Sequence, residues 1–185
     1  MLLGQALNGI AVLDLTRLVP GGFCSLVLAD LGADVLKIEE PGRGDYLRTF
    51  PPLGNTQSRL FTALNRGKRS LTLNLKHEHG RELLLDLVQR ADVLIESFRP
   101  GVLARLGLDF AALHSVNPRL IVCAISGFGQ QGPLCDLPAY DLVVQAMSGL
   151  MAGTGEEGGA PLKTGESMAD LIAGLFASWS IMAAL

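Results

Sequence analysis

The stretch IAVLDLTRLVPGGFCSLVLADLGADVLKIEEPG, residues 10–42, decides the fold class. Residues 10–15 (IAVLDL) form a short apolar run ended by Thr16, the pattern of a buried strand. Pro20-Gly21-Gly22 reads as a turn, and residues 23–31 (FCSLVLADL) as an apolar helix stopped by Gly32. Residues 34–40 (DVLKIEE) read as a second strand, stopped by Pro41-Gly42. Strand, helix and strand within about 30 residues make one βαβ unit, which implies a parallel pair with a right-handed crossover.

The same alternation continues outward. Residues 41–69 lack sustained periodicity and read as a long ordered loop, of a length that often carries function. Residues 70–75 (SLTLNL) alternate strictly, as a strand with one polar face does. Residues 78–90 are an amphipathic helix with Leu84, Leu87, Val88 and Ala91 sharing a face. A fourth strand at 92–97, short helices at 102–106 and 110–116, and a fifth strand at 120–126 follow, then the glycine-rich exit loop 127–132. Residues 140–151 read as a helix, 153–159 as a loop, and 165–185 as a closing helix of apolar and small residues. The expected architecture is α/β, a doubly wound and mostly parallel sheet without an internal domain boundary.

Composition bounds the function. The chain has 185 residues, 49% of them hydrophobic, which suits one domain with a sizeable core. A net charge of −3 gives no electrostatic case for a nucleic-acid partner. The opening MLLGQALNGI lacks the basic region and long apolar run of a signal peptide. Residues 171–185 are uncharged but fall short of the roughly 20 residues that span a bilayer, so no membrane partner is expected. Cys24, Cys123 and Cys135 are odd in number and lack CxxC spacing, and read as reduced thiols of a cytoplasmic protein.

Several residues invite a chemical reading. Asp170 is the one acid of the closing helix after Glu166; a carboxylate there must be paired, protonated or kept for chemistry, with helix capping the plain alternative. Gly153-x-Gly155-x-x-Gly158 matches GxGxxG but follows a helix rather than a strand, so it reads as chance. Residues 18–22 are better placed, at the first βα turn, where doubly wound folds bind phosphate or adenine groups. Glu39 and Glu40 read as a solvated strand end, with a ribose-hydroxyl contact the alternative, and His77 and His79 read as surface. No zinc ligand set is present, so no metal is expected. Arg66, Lys68, Arg69, Lys76, Arg99 and Arg105 lie at or beside strand ends, as solvated charge or as a cationic rim for a phosphorylated ligand.

Taken in order, six stretches resemble the class III CoA-transferase (CaiB/BaiF) family, which also contains the α-methylacyl-CoA racemases. They are residues 12–45 (VLDLTRLVPGGFCSLVLADLGADVLKIEEPGRGD), 64–76 (LNRGKRSLTLNLK), 91–109 (ADVLIESFRPGVLARLGLD), 117–133 (NPRLIVCAISGFGQQGP), 140–151 (YDLVVQAMSGLM) and 165–174 (GESMADLIAG). The resemblance implies a Rossmann-like large domain, with residues 1–185 its N-terminal part and the small domain and returning C-terminal segment absent. It implies transfer of CoA from an acyl-CoA to a carboxylic acid, with Asp170 as the nucleophile and Tyr140 beside the reaction centre. The intermediates would be an aspartyl-acyl anhydride and an aspartyl-CoA thioester.

The CoA contacts of that family carry over to Leu18, Val19 and Pro20, to Leu73, Asn74 and Lys76, and to Ser97, Phe98, Arg99 and Arg105. Lys76 and Arg105 would meet the phosphates. CoA and acyl-CoA are then substrates, no cofactor is permanently bound, and the complete protein is an interlocked homodimer. Three departures stand out: Val19 where transferases often have glutamine, Glu40 where some relatives have arginine, and the missing half. A racemase would need a histidine where Tyr140 stands, and a phenol of pKa near 10 is a poor base at neutral pH. A catalytically silent CoA-binding or interaction fragment is the third reading.

Overall fold

A computed structural model describes residues 3–53 and 58–185. Strands β1 (Ala11–Asp14), β2 (Asp34–Glu39), β3 (Arg69–Thr72), β4 (Val93–Glu96) and β5 (Ile121–Ala124) form one parallel sheet of order β3-β2-β1-β4-β5. In register, Leu13 lies opposite Leu36 on one side and Leu94 on the other, and Ile95 opposite Cys123. The α/β, doubly wound reading therefore holds. Each predicted strand is one to three residues longer than the one observed, although flanking N–H groups such as those of Leu15 and Ile125 still bond across to the Ile95 and Glu96 carbonyls.

The helices are α1 (Leu18–Asp30), α2 (Arg59–Leu64), α3 (Glu78–Val88), α4 (Val102–Arg105), α5 (Phe110–Val116), α6 (Asp141–Met147) and α7 (Met168–Ala184). Alternate residues of the central strands face opposite layers, as the period of two requires. Leu13 and Leu94 pack with Leu84, Val88 and Leu113 under α3 and α5. Val12, Val93 and Ile95 pack with Cys24, Leu28 and Ile181 under α1 and α7. Helices α1 and α7 lie unusually close at Gly174, where a Cβ would stand 2.5 Å from the Pro20 carbonyl oxygen. That close approach fixes the start of α7 beside the start of α1.

Three local readings need correction. Helix α1 begins at Leu18, so Pro20-Gly21-Gly22 lies inside its first turns and is not a turn before it. Proline is compatible with a first helical turn, and a side chain at Gly21 would overlap Thr16, so both residues serve a close-packed helix start. Residues 41–69 hold a 3₁₀ turn at Tyr46–Thr49 and helix α2, capped by the Ser58 hydroxyl accepting from Phe61 N–H. Residues 54–57 of that span, and residues 1–2 of the chain's opening, lie outside the described residues. Strand β3 is an edge strand with all four residues exposed, and the buried part of the alternating run, Leu73 with Leu75 packed beside it, lies past its end.

Beneath the β1 exit lies a buried charge network, which takes in one of the bases read as solvated charge or as a cationic rim. Lys37, 1% exposed, pairs with Asp45 Oδ2 (2.9 Å) and Asp14 Oδ2 (3.7 Å) and donates to the Thr16 carbonyl (2.9 Å). Lys68 is also interior, bonding Ser25 Oγ (2.7 Å) and Asp14 Oδ2 (3.4 Å), and burial pulls its pKa down to about 8. For Asp14 burial pushes the carboxyl up, but Lys37 and Lys68 more than offset it and its pKa ends below the ordinary value. Arg66 pairs with Asp30, and Arg69 with Asp34 (2.6 Å). Arg66 and Arg69 thus stand in exposed ion pairs, while Lys68 is committed to the interior. Glu39 is equally unlike a solvated strand end: it is buried, and bonds Arg48, Ser70 and the Asp45 N–H.

Candidate active site

In the order β3-β2-β1-β4-β5 the chain direction of assembly reverses between β1 and β4, and ligands of doubly wound sheets bind outside the strand ends at that point. A cleft of about 380 Å³ occupies this place. The β1 exit contributes Arg17, Leu18 and Pro20, and the β4 exit Ser97, Phe98 and Arg99. The β5 exit adds Ile125, Ser126 and Gly127, Tyr140 precedes α6, and α7 presents Asp170 and Ala173. Seven residues named from the sequence thus meet in one cleft: Leu18, Pro20, Ser97, Phe98, Arg99, Tyr140 and Asp170.

Asp170 stands in the first turn of α7, half-buried. Burial pushes its carboxyl up from 3.8 to about 6, with the charge of Asp141 adding to the effect. Asp141 caps α7 from the neighbouring helix: its Oδ1 accepts from Ala169 N–H (2.8 Å) and Asp170 N–H (3.4 Å). The other oxygen accepts from Gln145 Nε2 (2.6 Å), and buried Gln145 in turn accepts from Thr164 N–H (3.0 Å). The N–H groups of residues 169 and 170 are consequently engaged within the protein, so oxyanion donors must come from elsewhere. From sequence, Asp141 reads as a cap of its own helix or a solvent-facing acid; its role across helices has no local signal.

Tyr140 is 70% exposed at the cleft mouth. Sequence reasoning misses Arg17, although a base directly following β1 at the switch point is a usable signal. Its Nη1 donates to Tyr46 Oη (2.7 Å) and its Nη2 to Glu40 (3.0 Å), with the Phe98 ring 5.7 Å from the guanidinium. Glu40 therefore has a partner on the cleft wall. Leu18 adopts φ +66°, a left-handed conformation costing on the order of 1–2 kcal/mol for a residue with Cβ. Its N–H is held by Asp45 Oδ1 (3.2 Å), which ties the strained residue to the Lys37 network.

Behind the cleft, Glu96 is buried and its pKa rises from 4.5 to about 7, burial outweighing the hydrogen bond from Phe98 N–H (2.7 Å). Its folded pKa exceeds its unfolded one, so the stability it contributes is complete below pH 4.5 and lost as pH rises through about 7. The expected loss is roughly 3 kcal/mol across that window. Asp170 acts in the same sense between about pH 4 and 6, whereas Glu39, held at about 2, gives stability that is lost as pH falls below 4.5. Melting midpoints from about pH 5 to 7.5 should fall in the wild type, with a markedly smaller slope in Glu96→Gln. Equal slopes in the two proteins would contradict the assignment.

The remaining predicted residues lie elsewhere. Val19 packs against the cluster of Leu26, Leu47, Phe61 and Leu64 instead of lining the cleft. Leu73 is in the core, and Asn74 makes a tight turn by accepting from Lys76 N–H (3.1 Å). Arg105 lines a separate open groove with Arg81, Glu78 and Glu82. Arg81 Nη1 also donates to the Lys76 carbonyl (3.0 Å), which brings Lys76 to that groove's edge. The Pro100-Gly101 turn and α4 connect Arg99 on the cleft to Arg105 on the groove. Among the described residues no cluster of three metal-ligating side chains occurs, and no helix is long and apolar enough to cross a membrane.

Comparison with known proteins matches residues 7–185 to the model of CoA-transferase family III. The chain belongs to CoA-transferase family III. Relatives of this family III chain include an acetyl-CoA:oxalate CoA-transferase of Acetobacter aceti, 50% identical over 96% of the chain and 46% of the relative. A Mus musculus succinyl-CoA:glutarate CoA-transferase is 43% identical over 98% of the chain and 42% of the relative. Among solved structures, a CaiB/BaiF family protein from Brucella suis superposes with a TM-score of 0.92 at 43% identity, covering 96% of the chain and 48% of that protein. The family III chain thus spans about half the length of the relatives it matches.

Proposed function

We propose that this chain is the N-terminal, CoA-binding and nucleophile-bearing part of a large domain, in an enzyme that moves CoA from an acyl-CoA thioester to a carboxylic acid. The observation carrying this reading is Asp170, a carboxylate on an apolar helix facing the switch-point cleft, made more basic by burial and by Asp141. With a pKa of about 6 it is still mostly ionised at neutral pH, yet a better nucleophile than an ordinary carboxylate. The names of the relatives, each pairing an acyl-CoA with a carboxylic acid, support the same reaction class.

One Asp170 oxygen attacks the thioester carbonyl carbon, the C–S bond breaks, and CoA leaves as thiolate from an aspartyl-acyl anhydride. The thiolate attacks the aspartyl carbonyl, releasing the donor acid as carboxylate and leaving an aspartyl-CoA thioester. The acceptor carboxylate attacks that thioester, and the expelled thiolate then takes the acceptor's acyl carbon, which restores Asp170. No proton needs to move in these steps. CoA is a substrate here, and the residues need no permanently bound cofactor. Tyr140, at the cleft mouth, would border the acyl group.

The CoA chain would run from Leu18, Pro20, Ser97 and Phe98 past Arg99 to the groove of Arg105 and Lys76, with Leu73 and Asn74 shaping its far wall and Val19 supporting from behind. Removing one arginine–phosphate hydrogen bond should cost about 1–3 kcal/mol, the range for charge-assisted pairs. Titration calorimetry with CoA should show Arg99→Ala and Arg105→Ala binding roughly 5- to 150-fold more weakly than wild type. If both variants bind as the wild type does, the phosphate path is wrong.

Ile172, Phe176 (59% exposed) and Trp179 (53% exposed) form an uncovered stripe on α7 at helical spacing. That stripe supports a further layer of polypeptide over this face, as in an interlocked homodimer of longer chains. The three free cysteines are in keeping with a cytoplasmic location.

A further inference from the structure

Ser126 carries a hydroxyl the protein does not use. Two buried side-chain polar atoms lack a hydrogen-bond partner among the described residues, Asp45 Oδ2 and Ser126 Oγ. Asp45 Oδ2 is paired with the Lys37 ammonium at 2.9 Å. Ser126 Oγ has no such compensation. The three serines buried as whole residues all have partners: Ser25 bonds Asp14, Ser58 caps α2, and Ser178 bonds the Leu175 carbonyl. Across the sheet edge, Ser97 Oγ accepts from Arg17 N–H (3.0 Å) and so joins the β4 exit to the β1 exit. An unsatisfied buried hydroxyl is destabilising, and one that sits in a cleft wall calls for a reason.

The position of Ser126 is well fixed. Ile125 N–H donates to the Glu96 carbonyl (2.9 Å), extending the β4–β5 ladder to the residue before it. On its other side Gly127 lies so close to Ala139 that any side chain at 127 would overlap it. Ser126 thereby lines the same cleft as Asp170, with Gly127 packed on Ala139, the residue before Tyr140. Rotation about χ1, with its few staggered wells, is the freedom by which this hydroxyl can turn toward the cleft that Ser126 lines. The N–H groups of residues 169 and 170 are taken by Asp141, so an oxygen developing charge beside Asp170 needs a donor from another element.

We propose that Ser126 Oγ is a ligand-binding hydroxyl, which turns into the cleft and donates to the acyl oxygen of a CoA thioester held against Asp170. The proposal rests on the CoA-transferase reading above and adds to it a specific interaction on the acyl side of the sulfur. It makes the hydroxyl neutral or unfavourable for the folded state and favourable only with acyl ligand present.

The test uses the Asp170→Asn background, so that no covalent step consumes the ligand, with succinyl-CoA and free CoA as probes. Ser126→Ala should weaken succinyl-CoA binding about 3- to 10-fold in titration calorimetry while leaving free CoA unchanged. Its melting midpoint without ligand should equal or exceed that of the parent, because no protein hydrogen bond is removed. Equal succinyl-CoA affinity in parent and variant, an equal weakening for both probes, or a lowered ligand-free midpoint would each overturn the assignment while leaving the CoA reading intact. If the parent binds neither probe, the functional reading itself fails and the Ser126 interaction fails with it.

Discussion

Replacing Asp170 by asparagine is expected to lower CoA transfer by a factor on the order of a thousand or more in the proposed transferase, with CoA affinity kept within about twofold. The amide keeps the side chain's shape but cannot form the anhydride. Capping of α7 is unaffected, since Asp141 bonds the backbone N–H groups of residues 169 and 170 and not the Asp170 side chain. The variant also removes a half-buried charge that Asp141 repels, so its melting midpoint should be unchanged or higher. Abolished activity in a protein that melts no earlier and still binds CoA isolates the chemical step. Substantial residual transfer would exclude Asp170 as the nucleophile.

The second large effect concerns the support beneath the cleft. Lys37→Met is expected to destabilise the fold by about 3–5 kcal/mol, because it leaves buried carboxylates without their principal cation. At this chain length that corresponds to a midpoint lowered by roughly 6–20 °C. Asp45 would be deprived of its 2.9 Å partner, Asp14 would keep Lys68 alone of the two lysines, and the Thr16 carbonyl would be left without its donor. The Leu18 φ of +66° depends on the same carboxyl, through its N–H bond to Asp45. Ligand affinity should therefore fall along with stability. The double variant Lys37→Met, Asp45→Asn should melt above the single variant, since it removes one of the stranded charges. A single variant melting within about 2 °C of wild type would show that the network does not hold the β1 exit.

The fold is readable from residues 10–42 because hydrophobic periodicity reports burial directly: a short apolar strand, an apolar helix and a second strand admit few arrangements. The limits of that reading are local. Proline and two glycines suggest a turn, whereas they begin α1, because the requirement there is close approach to Thr16 and α7 and not chain reversal. Lys68 lies in a string of bases and looks like surface charge; only the tertiary fold sets it against Asp14. Asp170 stands out as a lone acid on an apolar helix. Asp141, Arg17 and Ser126 do not, since each takes its role from groups on other elements. Such pairings leave no periodicity and no fixed spacing in the chain.

The most direct measurement of the central claim is to locate the acyl or CoA group during turnover. The proposed transferase, incubated with succinyl-CoA and quenched with hydroxylamine, should carry a hydroxamate on one aspartyl side chain, read by peptide mass. The predicted result is modification at Asp170, absent from Asp170→Asn. Modification of Asp141, Glu166 or another carboxylate, or active transfer with no hydroxamate on the protein, would contradict the mechanism.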